Sequence, residues 1–134
     1  MKVFISFYVW LYQLTKGKIG GRVQGLSVLL LTTTGRRTGK KRITPLGYFE
    51  QEGYYVICAS NAGADAHPAW FYNLKSRPQV ELQIQDQHLA AIAEPADPTL
   101  RQQLWDELVK RSPGYGAYEK RTTRVIPMVL LKPA

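Results

Sequence analysis

The chain has 134 residues, of which 45% are hydrophobic and 21% are charged, and its formal net charge is +8. This length is enough for one hydrophobic core, and the composition excludes a wholly disordered chain, a coiled coil and a collagen-like repeat. The single cysteine, Cys58, cannot form an internal disulfide, which is typical of a reducing compartment. We therefore expect one domain over residues 1–134, located in the cytoplasm.

The positive charge is concentrated in the N-terminal part of the chain. Residues 1–49 contain nine Lys and Arg and no Asp or Glu, and five of these cations lie within residues 36–42. Such a concentration favours an anionic partner. Phosphate, nucleic acid and acidic lipid are all candidates at this point.

Residues 1–16 predict an apolar helix, because only Ser6 and Gln13 interrupt the apolar run between residues 3 and 14. A helix over that run is about 18 Å long, too short for a bilayer core of about 30 Å. Three positions remain open for it: packed on the core, in a dimer contact, or on a membrane surface. The glycine-rich residues 17–25 predict a linker.

Six strands are predicted after the linker, at residues 26–33, 43–50, 54–60, 79–85, 88–94 and 125–132. Two helices are predicted between them, at residues 68–76, where Pro68 opens the helix, and at residues 97–111, where Asp97 is the cap. Residues 114–118 predict a loop or single turn, because two closely spaced glycines disfavour a helix. Short strands joined mainly by hairpins, with inserted helices, favour an antiparallel α+β barrel with its core over residues 26–132.

The loop of residues 32–42 has the composition of an anion site. It contains a run of three threonines, two glycines and five cations. Glycines let backbone N–H groups turn towards one point, and the hydroxyls and cations add further donors for phosphate or carboxylate oxygens. The Gly35–Gly39 spacing and the lysine at position 41 exclude a Walker loop. A solvated basic hairpin loop without a ligand is the alternative.

A second candidate site spans residues 59–70, which lead from a strand into a helix. Its small residues allow a flat ligand to approach the backbone, and Ser60 and Asn61 can donate hydrogen bonds. Trp70 suits either a wall of this site or the core. No metal site is expected, because His67 and His88 lie far apart and no Cys or Glu stands at metal-ligand spacing.

Taken together, these motifs resemble the deazaflavin-dependent nitroreductases, enzymes that use coenzyme F420 on a split β-barrel related to flavin-binding barrels. The resemblance covers about residues 26–131. Its motifs are the Leu-Leu-Thr-Thr-Thr-Gly-Arg-Arg-Thr-Gly loop, Arg42 with Pro45 and Leu46, the Ala-Ser-Asn-x-Gly-Ala turn, His67 to Phe71 with Asn73 and Leu74, and Tyr115 and Tyr118 ahead of Arg124 to Pro127. The fold that it implies is a six-stranded antiparallel split β-barrel, FMN-binding-like, with inserted helices and an N-terminal helix.

The resemblance also implies roles for individual residues. The implied cofactor-binding residues are Arg36, Arg37, Thr38, Arg42, Pro45, Leu46, Ser60, Asn61, Ala69 and Trp70. Those of the basic loop would grip the phosphate and oligoglutamate tail of F420, and the others would surround the deazaflavin ring. Tyr115 and Tyr118 would act on the substrate side as catalytic residues. Family members often have a lysine where this chain has Asn61, and a further tyrosine where it has Ser112.

The implied activity is hydride transfer from reduced F420 to an electron-poor small molecule such as a quinone, an enone or a nitro-heteroaromatic compound. The apolar N-terminus favours a quinone-like, membrane-soluble acceptor. Two alternatives remain open: an FMN- or heme-binding relative of the same barrel, with FMN as the lesser cofactor candidate, and a basic nucleic-acid-binding module. We expect no nucleic acid as partner, a monomer or homodimer, and a cytoplasmic protein for which contact of residues 1–16 with the inner face of the membrane stays open.

Overall fold

The computed structural model describes residues 2–134, with side chains from Ser6 onward. In chain order the elements are α1 (Lys2–Thr15), β1 (Arg22–Val23), β2 (Leu26–Thr34), β3 (Lys41–Gln51), β4 (Tyr54–Cys58), a 3-10 turn (Asn61–Gly63), α2 (Ala69–Ser76), β5 (Gln79–Ile84), β6 (Gln87–Pro95), α3 (Pro98–Arg111), α4 (Tyr115–Lys120) and β7 (Met128–Pro133). The six predicted strands and the N-terminal helix are therefore all found, with small shifts at their ends.

The strands form a closed antiparallel barrel. Its order is β2-β3-β4-β7-β6-β5, and pairing of β2 with β5 closes the ring. The pairing of β3 with β4 is short, at residues 49–51, so residues 41–48 of β3 pair with β2 alone. The expected six-stranded antiparallel barrel of an α+β fold is confirmed. The two-residue strand β1, which pairs with the start of β2, lies in the segment that we expected to be a linker.

Residues 114–118 are the place where the secondary-structure prediction is wrong. Tyr115–Lys120 form the helix α4 instead of a loop, with Gly116 inside it. Tyr115 and Tyr118 pack against the apolar cluster beneath α3, with their ring centroids 5.3 Å apart. The packing of these two partly buried rings outweighs the poor helix propensity of one glycine.

The other helices begin close to the expected residues. Pro68 is the N-cap of α2, one position earlier than the first helical position predicted for it. Asp97 caps α3 as expected, because its side chain accepts a hydrogen bond from the Leu100 backbone N–H at 2.8 Å. The cap stabilises the first turn of α3, and burial of Leu104 and Leu108 packs the helix on the barrel.

The hydrophobic core has three parts, separated by the alternation of side chains along the strands. Five barrel strands supply residues to the interior, Leu29 and Leu131 among them, and α2 adds Trp70 and Leu74. A second cluster packs α3 on the outside of the barrel. The third places Val9 and Tyr12 of α1 over Val28 and Leu30 of β2.

Helix α1 packs on the barrel by one face only. Tyr12 is fully buried, and its hydroxyl donates to the Val28 carbonyl at 2.9 Å and accepts from the Gln85 N–H at 2.8 Å. The opposite face exposes Phe7, Trp10 and Leu14 by 56%, 54% and 63%. None of the helices within residues 2–134 combines the length and hydrophobicity that crossing a bilayer requires.

Candidate functional site: a cationic groove beside a tyrosine pocket

A groove of about 820 Å³ lies beneath the β2–β3 loop. We name it the cationic groove. Its lining residues are Ser6, Val9, Trp10, Gln13, Gly35, Arg36, Arg37, Thr38, Lys41, Arg42, Ile43, Thr44, Ala69, Trp70 and Asn73. Four of them are cations and none is acidic. The two ion pairs found among the described side chains, Arg111–Glu107 and Lys132–Glu94, both lie elsewhere. The groove therefore offers unneutralised positive charge to an anionic ligand.

The β2–β3 loop owes its shape to bonds within itself. The Gly35 N–H donates to the Lys40 carbonyl and the Gly39 N–H to the Gly35 carbonyl, each at 2.8 Å. The Lys40 N–H donates to the Thr38 hydroxyl at 3.2 Å. A Cβ at Gly35 would lie 2.9 Å from the same hydroxyl oxygen, so the fold of the loop requires glycine there. Because these N–H groups are already bonded within the loop, an anion in the groove would meet mainly the side chains of the loop.

Helix α2 holds the first arginine of the loop. The Asn73 side chain accepts from the Arg36 N–H at 3.1 Å and donates to the buried Thr33 hydroxyl at 3.3 Å. The Arg36 guanidinium stacks on the ring of Tyr72, 4.9 Å from its centroid. Ala69 and Trp70 line the groove, so the N-terminal end of α2, which carries partial positive charge, borders it as well.

The second cavity, of about 290 Å³, is the tyrosine pocket. Its lining residues are Tyr8, Val23, Gln24, Val28, Pro45, Leu46, Gly47, Cys58, Ser60, Tyr115 and Tyr118. A Cβ at Gly47 would meet Leu26 at 3.0 Å and the Tyr115 hydroxyl at 3.5 Å, so glycine keeps this part of the pocket open. The pocket is mostly apolar, with phenol hydroxyls as its main polar groups.

Burial keeps two groups of the tyrosine pocket, Tyr115 and Cys58, protonated. Desolvation raises the pKa of the Tyr115 hydroxyl to about 12, so it is a proton donor at neutral pH. Burial likewise raises the pKa of the Cys58 thiol to about 12, although Arg101 acts in the opposite direction. Cys58 is therefore a neutral wall of the pocket and not a nucleophile.

One strand connects the two cavities. Residues 41–44 of β3 line the cationic groove, and the following residues 45–47 line the tyrosine pocket. At about 3.3 Å per residue, Arg42 and Leu46 are roughly 13 Å apart along the strand. Helix α1 also contributes to both cavities, with Val9 on one side and Tyr8 on the other. The arrangement suits an elongated ligand with an anionic end and a flat apolar end.

The loop that joins the cavities on their other side is held by Arg124. Its guanidinium donates to the Ser60 and Ala64 carbonyls at 2.8 Å and to the Ala59 carbonyl at 3.3 Å. It also lies 2.8 Å from Nδ1 of His67. Burial, together with Arg124, lowers the pKa of His67, so the ring is neutral and its Nδ1 accepts this bond. Arg124 thereby fixes the backbone between Ser60 and α2.

Most of the site residues predicted from the sequence line one of the two cavities. Those in the cationic groove are Arg36, Arg37, Thr38, Arg42, Ala69 and Trp70. Those in the tyrosine pocket are Pro45, Leu46, Ser60, Tyr115 and Tyr118. Asn61 lines neither cavity, and its side chain donates to the Ala66 carbonyl at 3.0 Å. The roles assigned to all of these residues remain predictions.

Several lining residues were not among the predicted site residues. Lys41 was visible in the basic cluster, and Asn73 stood in the motif that carries the resemblance. Trp10 and Tyr8 belong to α1, and the sequence alone does not show that this helix lies over β3 beside the cavities. Gln24 has no local signal, because its partner Tyr118 is 94 positions away in the chain.

Comparisons with known proteins identify the family to which this fold belongs. Residues 5–133 match the model of the family described as F420H(2)-dependent quinone reductase. An F420H(2)-dependent quinone reductase of Mycobacterium tuberculosis is 36% identical over 125 residues, which cover 90% of this chain and 84% of that protein. The solved structure of an F420-H2 dependent reductase has a TM-score of 0.71 and 36% identity, over 78% of this chain and 93% of that chain. A structure described as a domain-swapped dimer has a TM-score of 0.75 and 31% identity, over 95% and 93% of the two chains.

These matches extend over nearly the whole chain and include both cavities and α1 from residue 5 onward. They confirm the resemblance identified from the sequence, and they favour F420 over FMN or heme. The cationic groove fits the phosphate and carboxylates of that coenzyme. The chain belongs to the F420H(2)-dependent quinone reductase family and is an oxidoreductase that uses coenzyme F420.

Proposed function

We propose that this protein reduces quinone-like acceptors in the tyrosine pocket with a hydride from F420H2 whose anionic tail lies in the cationic groove. The observation that carries this proposal is the continuity of the two cavities along β3, with cations at Arg42 and an apolar wall at Pro45 and Leu46. Among the acceptor classes considered, a quinone is favoured over an enone or a nitro-heteroaromatic compound by the family to which the chain belongs.

The groove residues supply binding and orientation. Arg36, Arg37 and Arg42 would bind phosphate and carboxylate oxygens, with Thr38 and the α2 N-terminus as further donors. Arg36 is pre-oriented, because Asn73 and Tyr72 already hold it. Ser60, Ala69 and Trp70 would flank the junction between tail and ring. When it is bound, the reduced coenzyme supplies a hydride, and the protein supplies position and electrostatics.

The tyrosine pocket supplies a proton donor. Reduction of a quinone to a hydroquinone takes up one hydride and one proton, and negative charge develops on the carbonyl oxygen as the hydride arrives. Tyr115 is protonated at neutral pH and lines the same pocket as Tyr118. Both hydroxyls would donate hydrogen bonds to the developing charge, and one of the two would supply the proton. The walls of the pocket contribute no nucleophile, because the Cys58 thiol stays protonated.

The first prediction concerns coenzyme affinity. Arg36→Ala and Arg42→Ala should each raise the Kd for F420 by about tenfold at low salt, which is about 1.4 kcal/mol. The effect should shrink as salt increases, because these cations are exposed and their contacts are screened. The measurement is quenching of tryptophan or F420 fluorescence during titration, with wild-type affinity expected in the micromolar range.

Lys110→Ala is the matched control for this experiment. It removes one exposed cation from the last turn of α3, outside both cavities, and so changes net charge equally. Equal affinities for all three variants would remove the groove from the proposal. Titrations with FMN, heme and a single-stranded oligonucleotide test the alternatives, and tighter binding of any of these than of F420 would contradict the assignment.

We further propose that the exposed face of α1 rests on the inner surface of the cytoplasmic membrane. Phe7 and Trp10 stack with their centroids 5.9 Å apart, and Leu14 extends the same stripe. Lys16 and Lys18 follow directly, as cations suited to anionic headgroups. Trp10 also lines the cationic groove, so this surface lies close to the site. A quinone dissolved in lipid would then be near its pocket.

Serine substitutions at Phe7, Trp10 and Leu14 test this surface. The triple variant should lose co-sedimentation with phosphatidylglycerol vesicles and keep its melting temperature, because these side chains are already exposed. Val125→Ser, at a residue 69% exposed and away from α1, is the control. A different result would assign the stripe to a protein contact instead. In that case the native protein is a homodimer that does not bind vesicles, and the triple variant is a monomer.

A further inference from the structure

The turn between β1 and β2 forms part of the mouth of the tyrosine pocket. Val23 pairs with Leu26, so Gln24 and Gly25 are the two central residues of a hairpin turn. Both have positive φ, 53° and 79°, as a type I′ turn requires. Glycine adopts this conformation readily, but glutamine rarely does. Glutamine at the first position of this turn is therefore unusual.

Two hydrogen bonds hold Gln24 in place. The Ser112 hydroxyl, on a buried residue, donates to the Gln24 carbonyl at 2.7 Å. The Gln24 side-chain amide donates to the Tyr118 hydroxyl oxygen at 3.1 Å. Ser112 fixes the backbone, and the side chain then reaches a residue of the pocket.

The direction of the second bond decides what Tyr118 can do. A phenol has one proton to donate, and its oxygen can also accept. Because the oxygen accepts from Gln24, its proton remains available, and no protein acceptor is found for it among the described residues. A donor to the phenol oxygen also polarises the O–H group and strengthens its own donation.

The ring of Tyr118 is fixed as well. The ring of Tyr115 meets it nearly edge-on, at an interplanar angle of 83°. The Arg121 guanidinium lies over it, 5.5 Å from the centroid. With the ring held between these two groups, the donor from Gln24 favours orientations of the Tyr118 hydroxyl proton that point away from Gln24.

We propose that Gln24 is a positioning residue for the reaction, which directs the Tyr118 proton towards the carbonyl oxygen of a quinone in the tyrosine pocket. This inference rests on the proposed function. Hydride reaches the quinone from F420H2, the carbonyl oxygen gains the electron pair, and the Tyr118 O–H bond releases its proton to that oxygen. Solvent then returns a proton to Tyr118. Gln24 itself exchanges no atoms.

Gln24→Gly separates this role from a structural one. Glycine suits the positive φ, so the variant should keep or raise the melting temperature while it removes the amide donor. We expect kcat for menadione reduction to fall by about tenfold, with the Kd for F420 unchanged. The matched control is Glu52→Gly, because Glu52 and Gly53 form the same kind of turn, with φ of 54° and 83°, between β3 and β4. The control should gain similar stability and keep its rate.

Two further measurements complete the test. In a Tyr118→Phe background, Gln24→Gly should cause no additional loss, because its effect acts through the hydroxyl. In cofactor-free protein labelled with ¹³C-tyrosine, the Cζ resonance of Tyr118 should shift in Gln24→Gly and not in Glu52→Gly. The inference would be overturned if the double variant had a lower kcat than Tyr118→Phe alone, by the same factor that Gln24→Gly causes in the native protein. It would also be overturned if Gln24→Gly left both the rate and the resonance unchanged. Absence of turnover in the unsubstituted protein would instead overturn the proposed function.

Discussion

Tyr12→Ala is expected to lower the free energy of unfolding by about 4 kcal/mol or more. Tyr12 is fully buried on the face of α1 that packs on β2. Truncation of a buried aromatic residue costs about 3–5 kcal/mol. The substitution also removes the acceptor of the Gln85 N–H, and an unpaired polar group adds about 1–3 kcal/mol where it stays away from water. Since domains of this size have about 5–15 kcal/mol of stability, most of it would be lost. Urea denaturation followed by circular dichroism measures the effect.

Two variants divide this effect into its parts. Tyr12→Phe keeps the packing and removes only the hydroxyl, so its cost should be close to that of the hydrogen bonds alone. Phe7→Ala removes an aromatic residue from the exposed face of the same helix and should change stability by less than about 0.5 kcal/mol. A Tyr12→Ala variant as stable as Phe7→Ala would show that α1 does not pack on the barrel.

The same helix illustrates what the sequence can and cannot predict. Its apolar run predicts a helix, but the run is apolar on nearly all sides, so periodicity does not identify the packed face. Tyr12 is buried where the barrel provides an acceptor at Val28 of β2 and a donor at Gln85, in the turn between β5 and β6. For the case in which the helix packs on the core, the candidate packing residues in its sequence are Phe4, Phe7, Tyr8, Leu11 and Tyr12. Of these, Phe4 lies outside the described side chains, and Phe7 is exposed.

The strands were predictable because their signals are local. The turn at Glu52 and Gly53 and the branched residues of β2 are visible in short windows of sequence. The pairing of β2 with β5 that closes the barrel joins residues about fifty positions apart, such as Leu31 and Leu82. No window contains that contact, and the barrel architecture was inferred from hairpin connections and from a family resemblance.

The candidate site likewise combines residues with a local sequence signal and residues that only the fold brings together. The cationic loop was recognisable, because its cations, glycines and threonines are consecutive. The tyrosines were recognised only through the resemblance, and the local glycine rule led to the wrong prediction for the helix that carries them. That helix forms because Tyr115 and Tyr118 pack, partly buried, on the apolar cluster that includes α3, a tertiary effect that outweighs propensity. Gln24 was missed because only the folded chain brings it to Tyr118.

The largest expected effect on activity comes from the pocket hydroxyls. Tyr115→Phe and Tyr118→Phe each remove one oxygen and leave the ring packing in place. A hydroxyl that stabilises charge on the acceptor oxygen contributes about 2.7–4 kcal/mol, so kcat for quinone reduction should fall by about a hundredfold or more. The Kd for F420 should stay within about twofold, because the groove cations that bind its tail are untouched.

The pH dependence of the native enzyme provides a second measurement on the same hydroxyls. Burial raises the pKa of Tyr115, so its neutral form is favoured and the donor persists as pH rises through the range where an ordinary phenol ionises, near 10. The rate of menadione reduction should therefore show no loss from this group between about pH 7 and 11, whereas an ordinary phenol would already be mostly ionised at the upper end of that range. Tyr54→Phe, at an exposed tyrosine on β4 outside the tyrosine pocket, is the control and should keep the native rate. If both pocket variants reduce menadione as fast as this control, Tyr115 and Tyr118 serve only packing, and the acceptor must bind elsewhere.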